Sequence, residues 1–222
     1  MRILQTVSRV SGVIFDIDNT LYRHNAYMQA QTDLLVDRLA TELGKSPEHA
    51  AEEVEAVRES YARGNDGRRP SLANTFIEFG IDIETSIRWR TELFDPCRYL
   101  GSDPMLQKAL TRIAKGAAIV AVTNNPASVG TATLSCLGVL SLFRGVVGLD
   151  TTGVSKPHRA PFERGLELLG PGVRADEVVS VGDRVEVDLE PAMELGMGAI
   201  LVESMQDVYG LSFEDDFAGV SR

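Results

Sequence analysis

The chain has 222 residues, 44% hydrophobic and 24% charged, the make-up of a soluble globular protein long enough to bury a sizeable core. Lys and Arg number 22 against 32 Asp and Glu, a formal charge of −10. That sign repels phosphate backbones and argues against a nucleic-acid polymer as partner. A small anion stays compatible with it, because one metal ion and one lysine reverse the sign locally.

In chain order, residues 1–10 hold two Arg and no apolar stretch of the kind a signal peptide needs. The first apolar run, Val13-Ile14-Phe15, does not alternate with polar residues, which suits a strand buried on both faces of a parallel sheet. From Arg23 the pattern changes. Ala30, Leu34, Leu35, Leu39 and Leu43, then Ala50, Val54, Val57 and Tyr61, recur at helical spacing. Residues 23–97 hold 23 of the charged residues in 75 positions, a higher density than the remainder of the chain. They are read as an all-helical domain inserted after the first strand, with 1–22 and 98–222 forming one α/β domain. Arg63 to Pro70 reads as a loop inside the insertion.

Beyond the insertion, apolar runs at Ile119–Val122, Val146–Val147, Val178–Val181 and Ala199–Val202 alternate with helical patterns at Pro126–Leu137, Pro161–Leu169 and Leu189–Leu195. Strand and helix in alternation predict a Rossmann-like parallel sheet with helices on both faces. The uncharged stretch between Lys115 and Arg144 is interrupted by Thr123, Asn124, Asn125 and Pro126, so it is not a membrane span. A cytoplasmic protein is expected. Cys97 and Cys136 are too few for a disulfide scaffold and lack C-x-x-C spacing, so they read as reduced, partly buried thiols.

Four places carry chemistry. Asp16-Ile17-Asp18-Asn19-Thr20 follows the first apolar run, where parallel sheets place their ligands, and two carboxylates there attract a hard divalent cation or divide nucleophile and proton donor between them. As a calcium loop it fails, with Leu21 at the sixth position and Tyr27 at the twelfth. Thr123-Asn124-Asn125 ends the second run ahead of a helix, where a hydroxyl and backbone N–H groups cradle phosphate or merely cap. Lys156 lies in a loop before a helix and can neutralise a phosphoryl oxygen. Gly182, which allows a sharp turn, and Asp183 end a third run, and Asp188 follows at a helix start. All four sit at strand ends or in the loops leaving them, on one edge of one sheet.

Taken together, Asp16-x-Asp18-x-Thr20, Thr123, Lys156 and Gly182-Asp183-x-x-x-x-Asp188 resemble the haloacid dehalogenase superfamily in order and spacing. Phe15-Asp16-Ile17-Asp18-Asn19-Thr20-Leu21-Tyr22 is similar to its pyrimidine 5′-nucleotidase-like and phosphoglycolate phosphatase-like enzymes, which carry a helical cap where the insertion falls. The loop Lys156-Pro157-His158-Arg159 departs from the Lys-Pro-Asp-Pro frequent in relatives, and Glu186 stands where a shorter acid is common. The resemblance implies a Mg²⁺-dependent phosphatase acting on a small phosphorylated metabolite. Asp16 would be the nucleophile and Asp18 the acid and base. Thr123, Asn124 and Lys156 would bind the phosphoryl group. Asp16, Asp18 (through its backbone carbonyl) and Asp183 would hold the metal, with Asp188 in support. A phosphomutase keeps every one of these residues; a 2-haloacid dehalogenase typically lacks the second aspartate of the first motif; a non-catalytic module would have no use for the set. Trp89, Tyr27 and Phe76 read either as stacking groups for a base or as core.

Overall fold

The computed structural model describes residues 1–213, so the acidic tail from Asp207 is covered only in its first part. In chain order the elements are β1 (Arg2–Gln5), β2 (Gly12–Phe15), α1 (Asn25–Leu43), α2 (Pro47–Arg63), α3 (Leu72–Ile77), α4 (Ile83–Leu93), α5 (Pro104–Ala114), β3 (Ala118–Val122), α6 (Ala127–Cys136), β4 (Val146–Val147), α7 (Leu149–Thr152), α8 (Ala160–Leu169), β5 (Val178–Gly182), α9 (Glu190–Glu194), β6 (Gly198–Leu201) and α10 (Met205–Gly210). The chain divides into two compact units, one of residues 1–24 with 95–222 and one of residues 25–94.

The first unit is built on a six-stranded sheet of order β1-β6-β5-β2-β3-β4. Five strands run parallel, and β1 closes one edge antiparallel to β6. That edge strand is the addition to the expected all-parallel sheet. Arg2, Ile3 and Leu4 are exposed, so β1 has no buried apolar run to announce it. The central strands are the reverse: every residue of β2 and β5 is buried. Side chains alternate between faces, so Ile14, Val120, Val122 and Val178 pack on one side with Phe162 and Leu169 of α8. Val13, Phe15, Ile119, Ala121, Val179 and Val181 point to the other side and are equally buried, so both faces are covered. The register matches Phe15 with Ala121 and with Val181, which brings the carboxyl ends of β2, β3 and β5 level with one another. The ladder continues one step further, with Asp16 N–H donating to the Val181 carbonyl at 2.9 Å.

The second unit is helical throughout. The Ser46 hydroxyl caps α2 and the Asp82 carboxylate caps α4, each accepting from a backbone N–H of the first turn. Trp89 and Phe76 meet edge to face at 6.2 Å, and the Arg38 guanidinium lies over the Trp89 ring. Trp89, Tyr27 and Phe76 are all core residues, 0–2% exposed, which removes the stacking role. No helix among the described residues is long and apolar enough to cross a membrane.

The cysteine reading is overturned. Cys97 and Cys136 form a disulfide with a Cα–Cα distance of 5.3 Å. The reason lies in tertiary packing: the 3₁₀ turn Pro96–Arg98 rests on α6, which delivers two thiols 39 residues apart to one point. Closing a loop of 39 residues restricts the unfolded chain by about 4 kcal/mol in the chain-entropy account. Replacing both Cys97 and Cys136 by Ser is therefore expected to lower the urea-unfolding free energy by a sizeable part of that figure. Reductant added to the natural chain should lower it equally, while leaving the double variant unaffected.

Candidate active site

The loop after β2 bends sharply. Thr20 and Leu21 N–H groups both donate to the Ile17 carbonyl, and Asn19 takes the left-handed conformation (φ 61°), which asparagine tolerates better than most side chains. This turn presents Asp16 at the strand end and Asp18 beside it. Thr123 stands at the end of β3, Lys156 in the loop between α7 and α8, and Asp183 directly after β5.

Lys156 is the centre of the arrangement. Its ammonium donates to Asp16 Oδ1 at 2.5 Å, to Asp188 Oδ1 at 2.7 Å and to the Val122 carbonyl at 2.8 Å. All three protons are used, inside a site where the Lys156, Asp16 and Asp188 side chains are at most 3% exposed. The loop is locked by Asn124, whose side chain donates to the Lys156 carbonyl at 3.2 Å and accepts from the Lys156 N–H at 2.8 Å. The expected role of Asn124 was its backbone N–H; the side chain does separate work in holding the lysine.

Asp188 uses both carboxylate oxygens. Its Oδ1 takes the lysine, its Oδ2 accepts from the Arg184 N–H at 3.1 Å, and its carbonyl accepts from the Ser180 hydroxyl at 2.8 Å. It lies within a turn of π-helix, Val185–Leu189, ahead of α9 rather than at its start. Gly182 is explained by this packing and not by a turn, since a Cβ there would lie 2.3 Å from that of Asp188.

Asp18 has partners of its own. Its Oδ1 accepts from the Tyr22 hydroxyl at 2.5 Å, and its Oδ2 accepts from Asn125 Nδ2 at 3.0 Å and from the Thr123 hydroxyl at 3.3 Å. The carboxylate oxygens that do converge, within 4.8 Å of one another, belong to Asp16, Asp183 and Asp188. Asp16 Oδ2 and Asp183 Oδ1 are buried and accept no hydrogen bond. Asp16, Asp183 and Asp188 can each give an oxygen to a cation, and Asp16 and Asp183 are the two with a buried oxygen free of hydrogen bonds.

The electrostatics agree. Burial pushes the Asp16 carboxyl up to about 7, against the pull of Lys156 and with Asp188 adding to the rise. Burial also pushes Asp183 up to about 6, Asp188 again contributing. Burial disfavours the Lys156 ammonium, but Asp16 and Asp188 outweigh it and raise its value. Acids and base alike shift upward, as expected of a buried cluster with more negative than positive charge. The donor set fits a hard divalent cation.

Asn125 belongs to the Thr123-Asn124-Asn125 segment read from the sequence, but its contact with Asp18 is not written there. Two further contributors carry no role in the sequence reading: Tyr22, inside the first motif, and Ser180, a polar residue within an apolar strand, which is a signal available in the sequence.

The site is thus a buried lysine with several aspartates at the carboxyl edge of a doubly wound sheet. The profile of the haloacid dehalogenase-like hydrolases matches residues 10–196, and the chain belongs to that family. It is similar to the glyceraldehyde 3-phosphate phosphatase of Methanocaldococcus jannaschii, 25% identical over 94% of this chain and 91% of that one. It is also similar to the phosphoglycolate phosphatase of Rhodospirillum rubrum, 26% identical over 94% of this chain and 88% of that one. Among solved structures, a HAD phosphatase from Thermococcus onnurineus aligns with a TM-score of 0.56 at 26% identity, covering 87% of this chain and 86% of that one.

Cation binding requires Asp16 and Asp183 to be ionised. Both have folded values above those of the unfolded chain, so without a cation they favour the fold below pH 4 and lose that contribution as pH rises through about 6 and about 7. A bound cation reverses the loss. The gain in melting temperature on adding Mg²⁺ should therefore be small at pH 5 and grow towards pH 8, as differential scanning fluorimetry would record.

Proposed function

We propose that the protein is a Mg²⁺-dependent phosphatase that hydrolyses a small phosphate monoester through an aspartyl-phosphate on Asp16. The observation that carries this is the pairing of Asp16 with Lys156 beside two buried carboxylate oxygens that accept no hydrogen bond, on Asp16 and Asp183. The names of the relatives point the same way, since one acts on a triose phosphate and another on phosphoglycolate. The dehalogenases among the structural neighbours, 23% identical or less, share the fold alone.

In this reading Asp16 attacks phosphorus and the bond to the leaving oxygen breaks, with Asp18 protonating that oxygen. Asp18 then takes a proton from water as the water attacks the phosphoryl-aspartate. A carboxylate nearing a phosphate dianion meets like-charge repulsion, and Lys156, the Thr123 hydroxyl and the Asn124 N–H are the groups that would hold the phosphoryl oxygens against it. Asp16, Asp183 and the Asp18 carbonyl would hold Mg²⁺, which when bound supplies further positive charge against that repulsion. Asp188 keeps Lys156 charged and in place. Residues 1–22 and 98–222 are assigned as the catalytic domain and 23–97 as a cap. A small phosphorylated metabolite as substrate supports a cytoplasmic protein, whereas the Cys97–Cys136 disulfide favours an oxidising compartment.

The test is phosphate release from 4-nitrophenyl phosphate and a panel of sugar phosphates, nucleotides and phosphoglycolate, with Mg²⁺ and with EDTA. Release with Mg²⁺ and its loss with EDTA are expected; release unaffected by EDTA removes the metal from the reading. Asp16→Asn should keep the fold, because Lys156 retains Asp188 and the Val122 carbonyl, while turnover falls by at least about 10⁴-fold. Normal turnover in that variant removes Asp16 as nucleophile.

A further inference from the structure

We propose that Tyr22 and Asn125 are positioning residues that hold the Asp18 carboxyl in the orientation its proton transfers need, an inference that rests on the phosphatase reading above. A carboxylate two residues beyond the nucleophile, in a tight loop, has two side-chain torsions to fix. Here it is gripped at both oxygens by donors from two separate segments: Tyr22 on Oδ1, and Asn125 with Thr123 on Oδ2.

The two donors are themselves fixed. Tyr22 is 4% exposed, and its backbone pairs with that of Asp18 in an isolated bridge. Asn125 is 9% exposed; its N–H donates to the Thr123 hydroxyl at 3.1 Å and its carbonyl accepts from the Leu149 N–H at 3.0 Å. Thr123 already has a place in phosphoryl binding, whereas the Tyr22 hydroxyl and the Asn125 amide are tied to the reaction through Asp18. Rigid support of this kind separates a proton donor in reach of the leaving oxygen from one that spends most of its time elsewhere.

The step served is the transfer of the Asp18 proton to the leaving oxygen as the P–O bond breaks and its electron pair passes to that oxygen. A good leaving group needs little protonic help, so loss of positioning should fall hardest on a poor one. Two esters of similar shape make the comparison: phenyl phosphate and 4-nitrophenyl phosphate, assayed with Mg²⁺ as kcat/KM. For Tyr22→Phe, which removes one oxygen and keeps the ring, we expect about a tenfold or greater fall on phenyl phosphate and under about threefold on the nitro ester. Asn125→Ala should show the same selectivity, and Asp18→Asn the same sign with a larger size. KM for both esters should move little.

Equal losses on the two esters in both variants, or none in either, overturn the proposal while leaving the phosphatase reading intact. If the natural enzyme releases phosphate from neither ester nor any of the metabolite panel, that reading fails and this proposal with it. Circular dichroism and melting temperatures of each variant separate a lost fold from a lost orientation.

Discussion

The structure turns on one buried ammonium group. An isolated lysine charge inside a protein costs several kcal/mol of desolvation, repaid only when every proton finds an acceptor of good geometry. Lys156 meets that condition with two carboxylates and one carbonyl, which come from the ends of two strands and from the π-helical turn. Such a set exists only if β2, β3 and β5 end level, which is what the register of the central strands delivers. The apolar burial of those strands thus sets the geometry of the polar site.

The ammonium leaves an imbalance. Asp16, Asp183 and Asp188 place their oxygens within 4.8 Å of one another, and Lys156 with Arg184 supplies two positive charges against three carboxylates. Burial, with Asp188 adding to it, raises Asp16 and Asp183, and each keeps one buried oxygen that accepts no hydrogen bond. Room for Asp188 comes from Gly182, where a Cβ would lie 2.3 Å from its own.

How much of this was legible depends on the kind of signal. Parallel strands buried on both faces write themselves as continuous apolar runs, so the sheet and the motif residues at its edge were readable together. β1 was not, because an exposed edge strand has no such run. α5 went unremarked although Pro104 opens it and Asp103 caps it. The disulfide was hidden because two thiols 39 residues apart meet through the packing of one turn on one helix, which spacing does not encode. Gly182 was legible as special but for the wrong reason, since a sequence records that a side chain is missing and not what occupies its space.

Asn124 and Asn125 show what a sequence leaves undetermined. They are chemically identical neighbours, yet the backbone after β3 sends one side chain to the Lys156 backbone and the other to the Asp18 carboxyl. One short segment therefore fixes the lysine loop and the acid together, and the Thr123 hydroxyl between strand and helix joins the second of these contacts. Lys156 and Asp18 are tied to the same strand end, so one segment sets both of their places. Catalysis that depends on positioning gains most from such common anchorage. The carboxyl edge of β3, more than any single acid, is where the site is assembled.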